Sequence, residues 1–270
     1  MVKKLIKHEF IYYLRTVGIF LPIILAIGAM TRVFRFFDNG NIINTIALAS
    51  SVTLLVIACM ALLMISTVFG IVRFYKNMYS SEGYLTFTLP VTNTEHLLVK
   101  LLMAMVCQAV CVLTVIAAAS IALSGKLFGD VLKFIVNLID KALVVCGTAN
   151  LIGFIVEMIL LLVLGAVSNM LLYYACITIG QTAKKNRIFA AVGVYFIYYI
   201  ATQIISTVFT MIFTVLGMTG ALDGAMVWIE KSPIAAVHIA LCVVIVISAA
   251  ITAVFWLVTQ NIMSKKLNLE

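Results

Sequence analysis

The sequence predicts an all-α, polytopic membrane protein with six transmembrane helices, and three observations carry that prediction. Of the 270 residues, 64% are apolar and only 10% are charged, too little polar surface to coat a soluble globule. The mean hydropathy of +1.21 is gathered into six runs. Each can cross roughly 30 Å of hydrocarbon, which takes about 20 apolar residues in a helix, and runs this continuous span as helices because lipid offers the backbone no partners. The third observation is the charge pattern. The 18 Lys and Arg residues that make the net charge +8 lie between the runs or near their ends, where they read as topology signals and headgroup contacts rather than as a nucleic-acid surface.

Residues 1–16 precede the first span and are amphipathic. At helical pitch Val2, Ile6, Phe10, Tyr13 and Val17 share a stripe, with Lys4, Lys7, His8 and Arg15 opposite, the pattern of a helix lying along the inner membrane surface. An ordinary basic flank of the first span is the alternative. Glu9 in the leading segment argues for an uncleaved anchor rather than a signal peptide. The first span is expected over 17–36, with Pro22 near its start, and 38–41 form the turn after it. The second covers 42–72, longer than a bilayer needs, so it tilts or projects. The third covers 97–123. In 124–145, Phe128, Val131, Leu132, Ile135, Leu138, Ile139 and Ala142 alternate at helical spacing with Lys126, Asp130, Lys133, Asn137, Asp140 and Lys141, which predicts an amphipathic helix on the outer surface. The remaining spans are expected over 151–180, 189–216 and 234–258, all within a single membrane domain, 1–270.

An even number of spans puts both termini on one side. Twelve of the 18 basic residues fall on that side, with Arg32, Arg35, Lys126, Lys133, Lys141 and Lys231 opposite, so both termini and the 80–94 loop are expected in the cytoplasm.

That loop is the most informative polar stretch. Pro90 biases Leu89 toward extended backbone. Thr92 followed by Glu95 is a capping-box pattern, so a helix should begin near Thr92 and run into the third span. Before the proline, Leu85, Phe87 and Leu89 alternate with Tyr84, Thr86 and Thr88, a strand periodicity; a short helix or turn is the alternative. The apolar residues there form a docking surface for another protein or tuck against neighbouring helix ends.

Glu82, Gly83, Leu85, Leu89, Pro90, Val91, Thr92 and Lys100 resemble the pattern that follows the second span in type-2 ATP-binding-cassette (ABC) transporter permeases. The basic N-terminal segment, six spans and length are similar too. The resemblance implies that 1–16 is an elbow helix. It also implies that 80–94 is a coupling helix docked on a cytosolic nucleotide-binding subunit, contacting it through Glu82, Gly83, Tyr84, Leu85, Phe87, Leu89 and Pro90. The second inner loop, with Lys184, Lys185 and Arg187, would face the same ATPase. Tyr84 to Thr88 departs from the family by being more aromatic and richer in Thr. No GxxxxGK[ST] phosphate loop occurs, so the chain is expected to bind no cofactor and not to be an enzyme. ATP and Mg would sit on the partner, two permease chains would pair with two ATPase chains, and the complex would export an amphipathic peptide, drug or lipid-like substrate across the cell membrane.

Other candidates lie in the spans. Tyr199, Gln203, Thr207, Thr210 and Thr214 form a polar stripe that either lines a translocation path or packs between helices, with hydroxyls bonded to their own backbone. Glu157 is a carboxylate inside a long apolar run. It reads as a functional intramembrane acid or as a hydrated residue at the outer headgroups. His238 reads as an outer-end polar residue, and His8 and His96 as inner-surface ones. The six cysteines form no CxxC pair and suggest neither disulfides nor metal. A secondary transporter is the alternative function, against which the scarcity of buried charge speaks.

Overall fold

A computed structural model describes residues 2–37, 41–80, 92–183 and 185–265. Among these every regular element is an α-helix: α1 (Val2–Val17), α2 (Phe20–Phe36), α3 (Ile42–Tyr79), α4 (Asn93–Leu123), α5 (Lys126–Gly180), α6 (Arg187–Met218), α7 (Asp223–Lys231) and α8 (Pro233–Lys265). Six stretches are long and apolar enough to cross a membrane, and the protein is a multi-pass membrane protein. The chain divides into two compact units, Met1–Lys141 and Ala142–Glu270.

In the first unit α1 and α2 are nearly one helix. The Gly18 N–H donates to the Leu14 carbonyl at 3.0 Å, and Ile19 keeps helical backbone angles (φ −65°, ψ −32°). The amphipathic segment therefore leads into the first span without a turn, and its Tyr13 and Val17 are covered by protein. Both helices run alongside α4 in the same direction. Glu9 meets Lys100 near one end, and Arg32 meets the Ser124 carbonyl near the other. α3 runs back against both α2 and α4, with the Thr31 hydroxyl donating to the Ser51 carbonyl at 3.4 Å. The core joins Ile24, Leu55, Leu62, Met103, Cys111 and Ala118. Closest approach falls at Gly28, where a Cβ would lie 2.8 Å from the Ala118 carbonyl oxygen. Mid-span, the Gln108 carboxamide oxygen accepts from Ser66 at 2.6 Å and Thr67 at 3.5 Å, which ties α3 to α4 by the polar contacts that lipid makes valuable.

Two boundaries differ from the sequence expectation. α3 continues past residue 72 to Tyr79, because Arg73 and Asn77 hydrogen-bond to Glu9 and so need not leave the helix for water. The amphipathic segment expected over 124–145 and the fourth span are two limbs of α5, separated at Gly147. Its backbone (φ 74°, ψ 160°) lies in a region that side-chain-bearing residues rarely adopt. α4 starts where expected: the Glu95 N–H donates to the Thr92 hydroxyl at 3.4 Å, and the Thr92 N–H donates to the Glu95 carboxylate at 2.9 Å, a complete capping box. At its other end Arg35 donates to the Ala122 carbonyl at 2.7 Å and Arg32 to that of Ser124, which satisfies carbonyls a helix terminus leaves open.

In the second unit, Gly180 at the end of α5 meets Ala191 of α6. Tyr173 stacks on Tyr195 with ring centroids 5.7 Å apart, and Tyr198 meets Phe255 of α8 edge-on. α7 is a short helix between α6 and α8. No residue of α6 is buried.

Candidate functional site

The most concentrated polar structure lies where α1, α3 and α4 meet, at the end of the first unit from which the 81–91 segment leaves. Glu9 is the centre. Its carboxylate accepts from the Arg73 Nε at 3.0 Å and Nη2 at 3.4 Å, from the Asn77 Nδ2 at 2.9 Å and from the Lys100 Nζ at 3.1 Å. The side chains of Glu9 and Lys100 are each only 3% exposed. A buried charge is tolerable only when paired and hydrogen-bonded, and Glu9 meets both conditions. Arg73 remains partly open, and its guanidinium carbon lies 3.7 Å from the Tyr12 ring centroid, within cation–π range. Tyr12 and Tyr13 both contact Phe69 of α3. His96 is also fully buried at the start of α4.

The sequence reading missed this cluster. Phe10, placed on the apolar stripe, is exposed, whereas Glu9, Tyr13 and Val17 are buried. Those three recur every four residues on one helix face, so the available signal was an acid in line with Tyr13 and Val17. Lys100 was part of the family pattern, and its partner could not be seen from spacing.

Glu82, Gly83, Tyr84, Leu85, Phe87, Leu89, Pro90 and Lys184 lie outside the described residues. What is described is their support: α3 ends at Tyr79 and α4 begins at Asn93, both within about two turns of residues that bind Glu9. Lys185 is exposed, and Arg187 opens α6 half-buried.

Tyr199, Gln203, Thr207, Thr210 and Thr214 are all exposed along α6. The hydroxyls of Thr207, Thr210 and Thr214 donate to the carbonyls of Gln203, Ser206 and Thr210 at 2.8 Å, so these threonines satisfy themselves within the helix. A hollow beside α6 is lined by Thr202, Ser206 and Thr210, with Phe209, Phe213 and Ile251. Of the stripe, only Thr210 reaches it.

Glu157 has a partner that the sequence reading did not give it. Its two carboxylate oxygens lie 2.8 and 3.0 Å from the His238 Nδ1 on α8. The Cys242 thiol, one turn further along α8, is 3.9 Å from the carboxylate. The imidazole stacks on Phe154 at 4.0 Å with 6° between planes. Gly153 makes room for it, since a Cβ there would stand 3.1 Å from the His238 Cε1. Among the described residues no group of three or more His, Cys, Asp or Glu side chains is placed to hold a metal ion.

No family model, curated protein or solved structure matches the chain. A functional reading therefore stands on the sequence motif and on the geometry above.

Proposed function

We propose that the protein is the membrane-spanning permease subunit of an ATP-driven ABC exporter that moves an amphipathic substrate such as a peptide, drug or lipid-like molecule. The observation that carries the reading is the Glu9 cluster. Four donors on α3 and α4 close on one carboxylate of α1, so the helices on both sides of the 81–91 segment are tied together at its base. A loop pushed by a partner transmits movement only if its flanking helices move as a body, and a buried carboxylate held by donors from both helices supplies that stiffness. The motif residues Glu82 to Thr92 supply the resemblance to a coupling loop, and the excess of Lys and Arg beside it supports a cytoplasmic, N-in/C-in orientation in the cell membrane.

ATP and Mg belong to the partner ATPase in this reading, and the permease itself has no catalytic role. A second permease chain is the other partner. α6 supports it: the Gln203 carboxamide sits mid-span, exposed and without a hydrogen bond among the described residues, where lipid offers it none. The test is the complex purified from its native membrane. An ATPase subunit identified by mass spectrometry, with ATP hydrolysis stimulated by an amphipathic substrate, is the expected result. Glu82→Lys combined with Leu85→Asp and Phe87→Asp should abolish both ATPase association and transport. If both survive, 80–94 is not the coupling element.

A transporter driven by a proton gradient is the second reading, favoured by the Glu157–His238 pair within the fourth and sixth spans. Substrate movement that collapses with a protonophore but persists without ATP would select it.

A further inference from the structure

The Glu157–His238 pair meets the requirements of a reversible proton site. It contains an imidazole with a second ring nitrogen able to bind a proton, its geometry is fixed, and it is reachable, with the two side chains 22% and 17% exposed. His238 also lines an open hollow at the α7 end of the second unit, together with Asn150, Lys231 and Ser232. The Phe154 stack and the lack of a Cβ at Gly153 hold the ring in one orientation, with Nδ1 on the carboxylate. In the neutral imidazole that nitrogen carries the hydrogen and donates it, which leaves the Nε2 lone pair as the position for an incoming proton.

We propose that Glu157 and His238 form a proton-binding site served by the hollow at the α7 end, which makes the fit of α5 against α8 depend on pH on that side. Uptake of one proton from water at Nε2 turns imidazole into imidazolium and takes the pair from a net charge of −1 to zero. The carboxylate is an ionised acceptor in both states, and protonation adds the Coulomb attraction of a cationic donor, so the protonated pair grips more tightly and the unprotonated pair loosens. The groups that face the imidazole are the Glu157 carboxylate and Phe154 ring from α5 and the Cys242 thiol from α8, with Lys231 of α7 on the wall of the hollow. The site serves either functional reading, because it requires neither ATP nor a partner chain.

The chain has three histidines, so nitrogen NMR of histidine-labelled protein in nanodiscs resolves each, and His238→Gln assigns the signal. In a scan over about pH 5 to 8 the His238 signal should change between imidazolium and neutral imidazole, and Glu157→Gln should alter that change. Spin labels at Ile152 and Ile239 should report an α5–α8 distance that broadens over the same range in the wild type and does not respond to pH in His238→Gln or Glu157→Gln. A His238 signal locked in one state from pH 5 to 8, or a label distance with equal pH response in wild type and both variants, would overturn the proposal. Loss of ATPase association would not touch it.

Discussion

Glu9 is a single acid among Lys3, Lys4, Lys7 and Arg15, and its environment follows from one requirement: the carboxylate is buried, so donors must surround it. Removing it takes the carboxylate away from the Lys100 ammonium, which is 3% exposed. Loss of one partner of a buried ion pair costs roughly 3–5 kcal/mol, whereas replacing both with apolar groups is often nearly neutral. Glu9→Leu should therefore lower the melting temperature sharply in detergent, and adding Lys100→Met should restore most of the loss. Equal melting of the single and double variants would show that the Lys100 ammonium is not what makes the loss of Glu9 costly. At this scale the sequence was least legible. Periodicity placed Tyr13 and Val17 on the buried face correctly, but pairings such as Glu9 with Lys100 and Glu157 with His238 join residues far apart in the chain, and spacing carries no information about them.

The helices themselves were far more legible, since a run of apolar residues states both its existence and its minimum length. The capping box at Thr92 was readable because both members lie within one turn. The end of α3 was not. Arg73, Lys76 and Asn77 look like the exit from a membrane, yet the helix runs on to Tyr79, 38 residues in all and about 57 Å at 1.5 Å per residue, because tertiary partners meet its polar groups. Packing between elements depends on atoms that are missing as much as on those present. Gly28→Leu should destabilise the first unit by roughly 1–3 kcal/mol through overpacking against the Ala118 backbone, read as a lower melting temperature. Gly165→Ala, where a Cβ meets nothing within 4 Å, should be neutral or slightly stabilising. If the two variants melt alike, α2 and α4 are not in tight contact at Gly28.

For the whole molecule, the two units differ in how they meet their polar obligations. The first satisfies Gln108 from Ser66 and Thr67, but the second leaves the Gln203 carboxamide without a hydrogen bond among the described residues. A mid-span carboxamide has both donor and acceptor to offer, so a symmetric copy is a natural complement. Gln203→Leu should shift the protein toward monomer in subunit-counting photobleaching in nanodiscs, while Thr207→Val, whose hydroxyl is already bonded to its own helix, should not. An unchanged subunit count in Gln203→Leu would remove α6 from the association surface. The six-span membrane fold was legible at this scale because hydrocarbon thickness is a constraint the sequence must obey everywhere. The face that meets a partner obeys no such periodic rule.

The arginines that cap α4 also set an order of assembly. Arg32 and Arg35 sit near the end of α2, and the carbonyls they bond belong to residues 122 and 124, which a ribosome makes some ninety residues later. Until α4 arrives, those guanidinium groups have only water and headgroups to bind, so α2 enters the bilayer as a provisional segment with its charged end held at the surface. Docking of α4 exchanges that hydration for permanent bonds, and the first unit can close only after the third long helix has been synthesised.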